Sequence, residues 1–159
     1  MAIKGTNRYF EAMISQGKSP AFSSLLDFLH EMNISYGTEG SKVFLDEDYE
    51  LLAPDLLIEY LSESGFSPPW LQVYRVVTST NDVVMDELSR GSKKECLCLA
   101  EAQTKGKGRR GRIWVSPFGR NVYMSYGFIF ESDISKLEGL SVAVGIEVAE
   151  SLTRVGLTR

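Results

Sequence analysis

Ten residues, Gln103–Arg112 (QTKGKGRRGR), constrain this chain more than any other stretch. Three glycines (Gly106, Gly108, Gly111) are interleaved with five cations (Lys105, Lys107, Arg109, Arg110, Arg112). Each glycine inside a helix or strand costs roughly 0.5–1 kcal/mol, so so dense a set marks a loop. The apolar stretches on either side, KECLCLAEAQ before and NVYMSYGFIF after, read as strands that must be joined around it. The loop opens a longer window, Ala102 to Phe130, that holds no acidic residue and six basic ones, Arg120 being the sixth. The other 130 residues carry 21 acidic against 11 basic groups. One concentrated cationic segment on an acidic chain suits a small anion bound at one place. It does not give the even basic face of a duplex binder.

The remaining composition bounds the class. A chain of 159 residues, 43% hydrophobic and 24% charged, is ordinary for a globular protein, and can hold one core or a small domain plus part of a second. Apolar runs are short and broken by charge, so no membrane span is expected. The start, MAIKGTNRYFEAM, lacks the apolar core of a secretory signal, which makes the cytoplasm the default location. The only cysteines, Cys96 and Cys98, fall two apart in a predicted strand and so on one face, as buried thiols. A lone CxC with a single histidine makes a poor zinc site, so no metal held by protein ligands is expected.

Periodicity gives an α+β order. Residues 6–16 read as a short helix, capped by Thr6 or Asn7 and ended by Gly17, and residues 21–32 as a second. ISYGTEGSKVFL follows as a hairpin, so residues 1–50 form a small winged-helix-like part. Residues 51–69 are an acidic helical connector closed by Pro68-Pro69, and residues 70–159 a separate strand–helix–strand–loop–strand–helix unit. In that unit LQVYRVVTST, KECLCLAEAQ and NVYMSYGFIF are strands. NDVVMDELSR is a helix, and SKLEGLSVAVGIEVAESLTRVG is a long helix with a broad apolar face for packing on a sheet.

Two constellations could carry chemistry. Thr78-Ser79-Thr80-Asn81 sits at a strand-to-helix junction, where such residues cap free amides. The same short donors and acceptors could surround a polar, uncharged head such as a cyclic urea. The glycine-spaced loop could be solvated and flexible, or could bring backbone amides and arginine forks to an anion. It lacks the Walker A spacing, and the aromatic IWVSPFG directly behind it looks like the wall of a site.

TSTN, then AEAQTKGKGRRGRIWVSPFGRNVYMS, then GLSVAVGIEVAESL, in that order, resemble the bacterial biotin–protein ligase family, including its repressor-type members. The likeness is strong from Val73 to Val155 and weaker through GSKVFL, where those members carry a winged helix. It implies a winged-helix-like part followed by the first half of a mixed-sheet biotin/lipoate ligase catalytic domain. Ser79, Thr80, Asn81 and Gln103 would hold the biotin ureido ring. Lys107, Gly108 and Arg109, with Arg112, would close over biotin and the adenylate phosphate, and Trp114 would line the pocket. Lys107 and Arg109 would neutralise charge in the reaction, although position 107 is more often arginine in the motif. The implied reaction uses biotin, ATP and Mg2+ to make biotinyl-AMP, then passes biotin to a lysine of a biotin carboxyl carrier protein. The family's catalytic lysine, in a KWPND-type segment, is not met before Arg159, so no or very weak ligase turnover is expected of these 159 residues alone.

The N-terminal part departs from a DNA reader. AFSSLLDFLHEM offers no Arg, Lys, Asn or Gln to base edges and carries Asp27 and Glu31. DNA binding is therefore not expected, and a homodimer is possible. Two readings compete with the ligase: a non-catalytic biotin-responsive regulator of the repressor type, and a nucleic-acid binder stacking bases on Trp114, Phe118 and Tyr123.

Overall fold

A computed structural model of the chain describes residues 3–91, 94–108, 110, 112 and 114–157. Residues 1–128 form one compact unit and residues 129–159 another.

The first unit begins with helix α1 (Ile3–Gln16), which starts before the expected cap and stops where Gly17 turns left-handed (φ +78°). Strand β1 (Ser19–Pro20), helix α2 (Ser23–Glu31) and the hairpin β2 (Tyr36–Glu39) and β3 (Lys42–Leu45) follow. Gly40, at φ +59°, sits in the hairpin turn. The three strands form an antiparallel sheet in the order β1-β3-β2, with Ser19 opposite Val43 and Thr38 opposite Val43 on the other side. Phe10 and Met13 of α1, Leu25, Phe28 and Leu29 of α2, and Val43 of β3 make a core that also takes in Ala102 and Phe118. Helix α3 (Pro54–Glu63) forms the middle of the connector. It starts with proline at its first turn and buries none of its residues.

The second sheet is mixed. Strand β5 (Glu95–Ala100) lies in the centre, parallel to β4 (Leu71–Tyr74) and antiparallel to β6 (Tyr123–Phe128). Its run of buried residues from Cys96 to Ala100 marks a strand covered on both faces. Helix α4 (Thr80–Ser89) connects the parallel pair and packs on β5 and β6 through Val84. Gly127 permits that approach, because a Cβ there would stand 2.3 Å from Val84 Cγ1.

β4 is four residues long, where the apolar run predicts ten. The chain bends at Arg75–Val76, sending Val76 to the N-terminal core and Arg75 to the buried Glu101. Pairing resumes only at a single parallel bridge, Val77 to Gln103. Glu101 also accepts the Leu52 amide (2.5 Å), so one carboxylate fixes the connector, β4 and the end of β5.

In the second unit the expected single helix is divided. Asp133 caps a 3-10 turn (Ile134–Leu137) by accepting from Ser135 N (2.9 Å), which holds its carboxyl below the usual range. Gly139 at φ +83° then breaks the ladder before helix α5 (Leu140–Arg154). Helix α5 carries apolar residues along its length, among them Val142, Val144, Ile146 and Val148.

Two predictions follow from this packing. Glu101→Ala leaves the Leu52 amide unpaired and takes from Arg75 its buried carboxylate partner, although Arg75 still donates to Leu52 O (3.2 Å) and lies 4.0 Å from Glu11. The substitution is expected to lower unfolding free energy by about 2 kcal/mol, read from urea denaturation. Cys96 and Cys98 are fully buried and not joined in a disulfide, and burial pushes Cys98 up to about 11 from an ordinary value of 9.0. Between those values the unfolded chain loses the Cys98 proton while the folded chain keeps it. Stability should therefore fall as pH rises from 9 to 11, by up to about 1.4 kcal/mol per pH unit. At pH 8 a thiol reagent should label both cysteines only after unfolding; rapid native labelling would contradict this.

Candidate functional site

The root of the glycine-spaced loop is a short ladder. Val77 N donates to Ala102 O (3.2 Å), Thr104 N to Val77 O (2.9 Å) and Lys105 N to Thr78 O (2.8 Å). This ladder sets the end of β4 beside the end of β5, so the TSTN junction and the loop leave the sheet together. The loop then doubles back on itself. Gly108 N donates to Arg112 O (3.0 Å) and Trp114 N to Gly106 O (3.3 Å), with Arg110 in the left-handed region (φ +60°) near the tip.

Helix α4 is not capped as the TSTN motif predicts. Ser79 holds the N-cap position with extended backbone but makes no side-chain cap bond. The first helical amide, Thr80 N, donates instead to Gln103 Oε1 (2.9 Å), and so does the Thr80 hydroxyl (3.2 Å). A residue 23 positions later thus satisfies one of the free amides of the helix end. Gln103 Nε2 donates in turn to Ser116 Oγ (3.1 Å), and Thr80 Oγ1 lies 2.8 Å from Ser125 Oγ on β6.

Above this floor lies a cavity of about 400 Å³. Of the nine positions singled out from the sequence, seven line it: Ser79, Thr80, Asn81, Gln103, Lys107, Gly108 and Trp114. Arg112 lines a neighbouring cavity of about 680 Å³ with Lys105, and the two cavities share Lys107, Gly108 and Trp114. Arg109 lies outside the described residues, as does Gly111. Lys107 Nζ reaches Asp82 Oδ1 (2.6 Å), which ties the loop to the first turn of α4. Both side chains are exposed, so the pair is screened and adds little stability. Asp82 therefore serves mainly to place the lysine at the cavity mouth.

The sequence did not single out Val122, or Met124 and Ser125 of β6, which also line the cavity, or the Asp82 partner. Period-two alternation sets Tyr123 and Ser125 on one strand face, but a lone serine in a strand carries no motif. Two aromatic residues suggested for base stacking are buried, Tyr123 at the edge of the cavity. Phe118 is buried edge-on against Phe10 and Tyr49, and Tyr123 is buried with its hydroxyl donating to Pro117 O (2.9 Å). Of the three, Trp114 alone is exposed, at 57%. Among the described residues no cluster of three histidine, cysteine or carboxylate side chains stands ready to hold a metal. No described helix is long and apolar enough to cross a membrane.

A strand–helix–strand–loop–strand array thus sets a polar floor and a cationic loop around one cavity. The chain belongs to the biotin/lipoate A/B protein ligase family, whose profile matches residues 73–158. Its relatives include the bifunctional ligase/repressor BirA of Salmonella typhimurium, 35% identical over 117 residues, which is 74% of this chain and 35% of that protein. BirA of Escherichia coli is 42% identical over 84 residues, covering 53% of this chain and 26% of that protein. The chain thus spans about a third or less of the length of these curated relatives. Among solved structures, the biotin protein ligase of Leishmania major in complex with biotinyl-5-AMP shares 39% identity over 39% of this chain and 25% of that one. Its TM-score of 0.35 is too low to bear on the fold.

The tight loop root gives a direct test. A Cβ on Gly106 would fall 2.9 Å from Ser116 Oγ and from Trp114 O, and 3.2 Å from Gln103 Nε2. Gly106→Ala should therefore push the loop off the Gln103 network and cost about 1–3 kcal/mol by overpacking. A melting midpoint several degrees below the parent's would show it; an unchanged midpoint would mean that the loop root yields freely.

Proposed function

We propose that the cavity bounded by Ser79, Thr80, Asn81 and Gln103 binds the ureido head of biotin, and that the loop carrying Lys107, Gly108 and Arg109 covers its carboxylate end and an adenylate phosphate. The single observation that carries this reading is the juxtaposition of a hydrogen-bonding floor with a glycine-spaced cationic flap around one cavity. A ring with both N–H donors and a carbonyl needs partners of both kinds, which hydroxyls and an amide supply. Trp114, at the border of both cavities, would cover the apolar part of the ligand.

In the reaction proposed for the whole ligase, a biotin carboxylate oxygen forms a bond to the α-phosphorus of ATP and pyrophosphate leaves. A lysine amine of a carrier protein then attacks the acyl carbon of biotinyl-AMP and AMP departs. The chain's own part is to hold two anions close, because Lys107, Arg109 and Arg112 offset charge that water would otherwise have to screen. Closure of the loop would also shield the mixed anhydride from hydrolysis. Mg2+, where it takes part, would draw its ligands from phosphate oxygens and water rather than from a protein cage.

For residues 1–50 we propose a degenerate winged helix kept for packing. In support, α1, α2 and β3 devote their apolar faces to the core shared with Ala102 and Phe118, while Asp27 and Glu31 are exposed on α2. Acidic groups on that face oppose approach to phosphates.

Calorimetric titration with biotin tests the pocket. Saturable binding is expected, weakened at least tenfold by Gln103→Ala, which removes several hydrogen-bond partners at once. Lipoate, which has no ring N–H, should bind more weakly than biotin. No binding of biotin, together with salt-dependent binding of oligonucleotides, would sink the reading in favour of a nucleic-acid site.

A further inference from the structure

The Lys107–Asp82 pair stands where the cavity opens, and its charges bear on any ligand that carries an anion. Lys107 Nζ lies 2.6 Å from Asp82 Oδ1, with the two side chains 63% and 44% exposed. Lys107 lines this cavity and also the neighbouring one that holds Lys105 and Arg112. Asp82 follows Asn81, a lining residue, in the first turn of α4. An aspartate there is favoured by the positive end of the helix dipole whether or not a lysine is near. The pairing with Lys107, 25 positions along the chain, is a contact that the loop adds.

Two properties of the pair oppose each other, and their sizes decide which one a ligand feels. As a tether the pair is weak, because an exposed lysine–carboxylate contact gains little over hydration and must order a flexible four-carbon stem. As a charge arrangement it is not weak. An opposite charge at contact distance cancels most of the field that the ammonium would present to a third group nearby. An anion at the cavity mouth therefore meets a neutral pair. It gains Lys107 only by drawing the lysine off Asp82, or by accepting the repulsion of that carboxylate. An uncharged ligand of the same shape gains and loses nothing by either route.

We propose that Asp82 is a specificity-determining residue that acts through Lys107: as an internal counter-ion it competes with the ligand's carboxylate for the lysine, and so narrows the advantage of an anionic ligand over its neutral analogue. The proposal rests on the biotin reading of the pocket and adds to it a residue of α4. The same pair leaves small inorganic anions little attraction to Lys107. A ligand already held at its ring end presents its carboxylate at high local concentration, and can draw the lysine away where a free ion cannot.

The test is calorimetric titration with biotin and with biotinamide, which keeps the ring and side chain but carries no charge, with melting midpoints as the control for folding. Asp82→Asn should bind biotin about three- to fivefold more tightly than the parent chain, the scale of one exposed ion pair released. It should bind biotinamide with the parent's affinity. Asp82→Glu, which keeps the charge, should match the parent for both ligands. In a Lys107→Gln background Asp82→Asn should improve biotin binding less than twofold, because only direct repulsion then remains. If Asp82→Asn lowers the midpoint, Asp82→Ser, which also suits a helix start, gives the same comparison. Unchanged or weaker biotin binding by Asp82→Asn, an equal gain for biotinamide, or the full gain in the Lys107→Gln background would overturn the assignment while leaving the pocket standing. Failure of the parent chain to bind either ligand would overturn the pocket reading and this proposal with it.

Discussion

The side-chain amide of Gln103 ties together the start of α4 and the segment beyond the loop. Its oxygen accepts from the first amide of α4 and from the Thr80 hydroxyl, and its nitrogen donates to Ser116 beyond the loop. Removing it would free a helix end, release a buried hydroxyl and detach the return of the loop in one step. The cost of leaving such part-buried groups unpaired, about 1–3 kcal/mol each, exceeds the net worth of any single bond in the set. The same amide that steadies the fold thus forms the floor of the cavity.

That floor is held rigid from below. Glu101, two residues before Gln103, is locked by Arg75 and the Leu52 amide, and Ala102 lies in the core built by α1, α2 and β3. Phe118, two residues after Ser116, packs edge-on against Phe10 and Tyr49 in that same core. Both ends of the loop network therefore abut side chains anchored in the N-terminal elements. Among the described residues between them, Lys105, Lys107, Arg110 and Arg112 are exposed.

Much of this was legible in the sequence because it is local. The strand KECLCLAEAQ, the hairpin around Gly40 and the helix after TSTN follow from runs and periods of a few residues, and the loop declares itself by composition. The resemblance carried by TSTN, GKGRRGR and WVSPFG led to the family. What escaped was non-local. The capping of α4 by a glutamine 23 residues away, the bend that shortens β4 so that Val76 and Arg75 reach different partners, and Ser125 facing the cavity from β6 all depend on pairing no window of sequence displays. Phe118 and Tyr123 show the converse error: aromatic residues near cations read as stacking platforms until packing places them in the interior. The break at Gly139 was visible as a glycine, yet the apolar period running across it favoured one helix.

The central claim is that a ligand ring settles on the Thr80–Gln103 hydrogen-bond floor beneath the cationic loop. Amide NMR of the isotope-labelled chain during addition of biotin addresses it most directly. The Gln103 side-chain NH2 pair, the Thr80 backbone amide and the amides of Lys107 and Gly108 should shift together along one saturation curve. Shifts confined to Lys105 and Arg112, or the absence of any change at Gln103 and Thr80, would contradict the account.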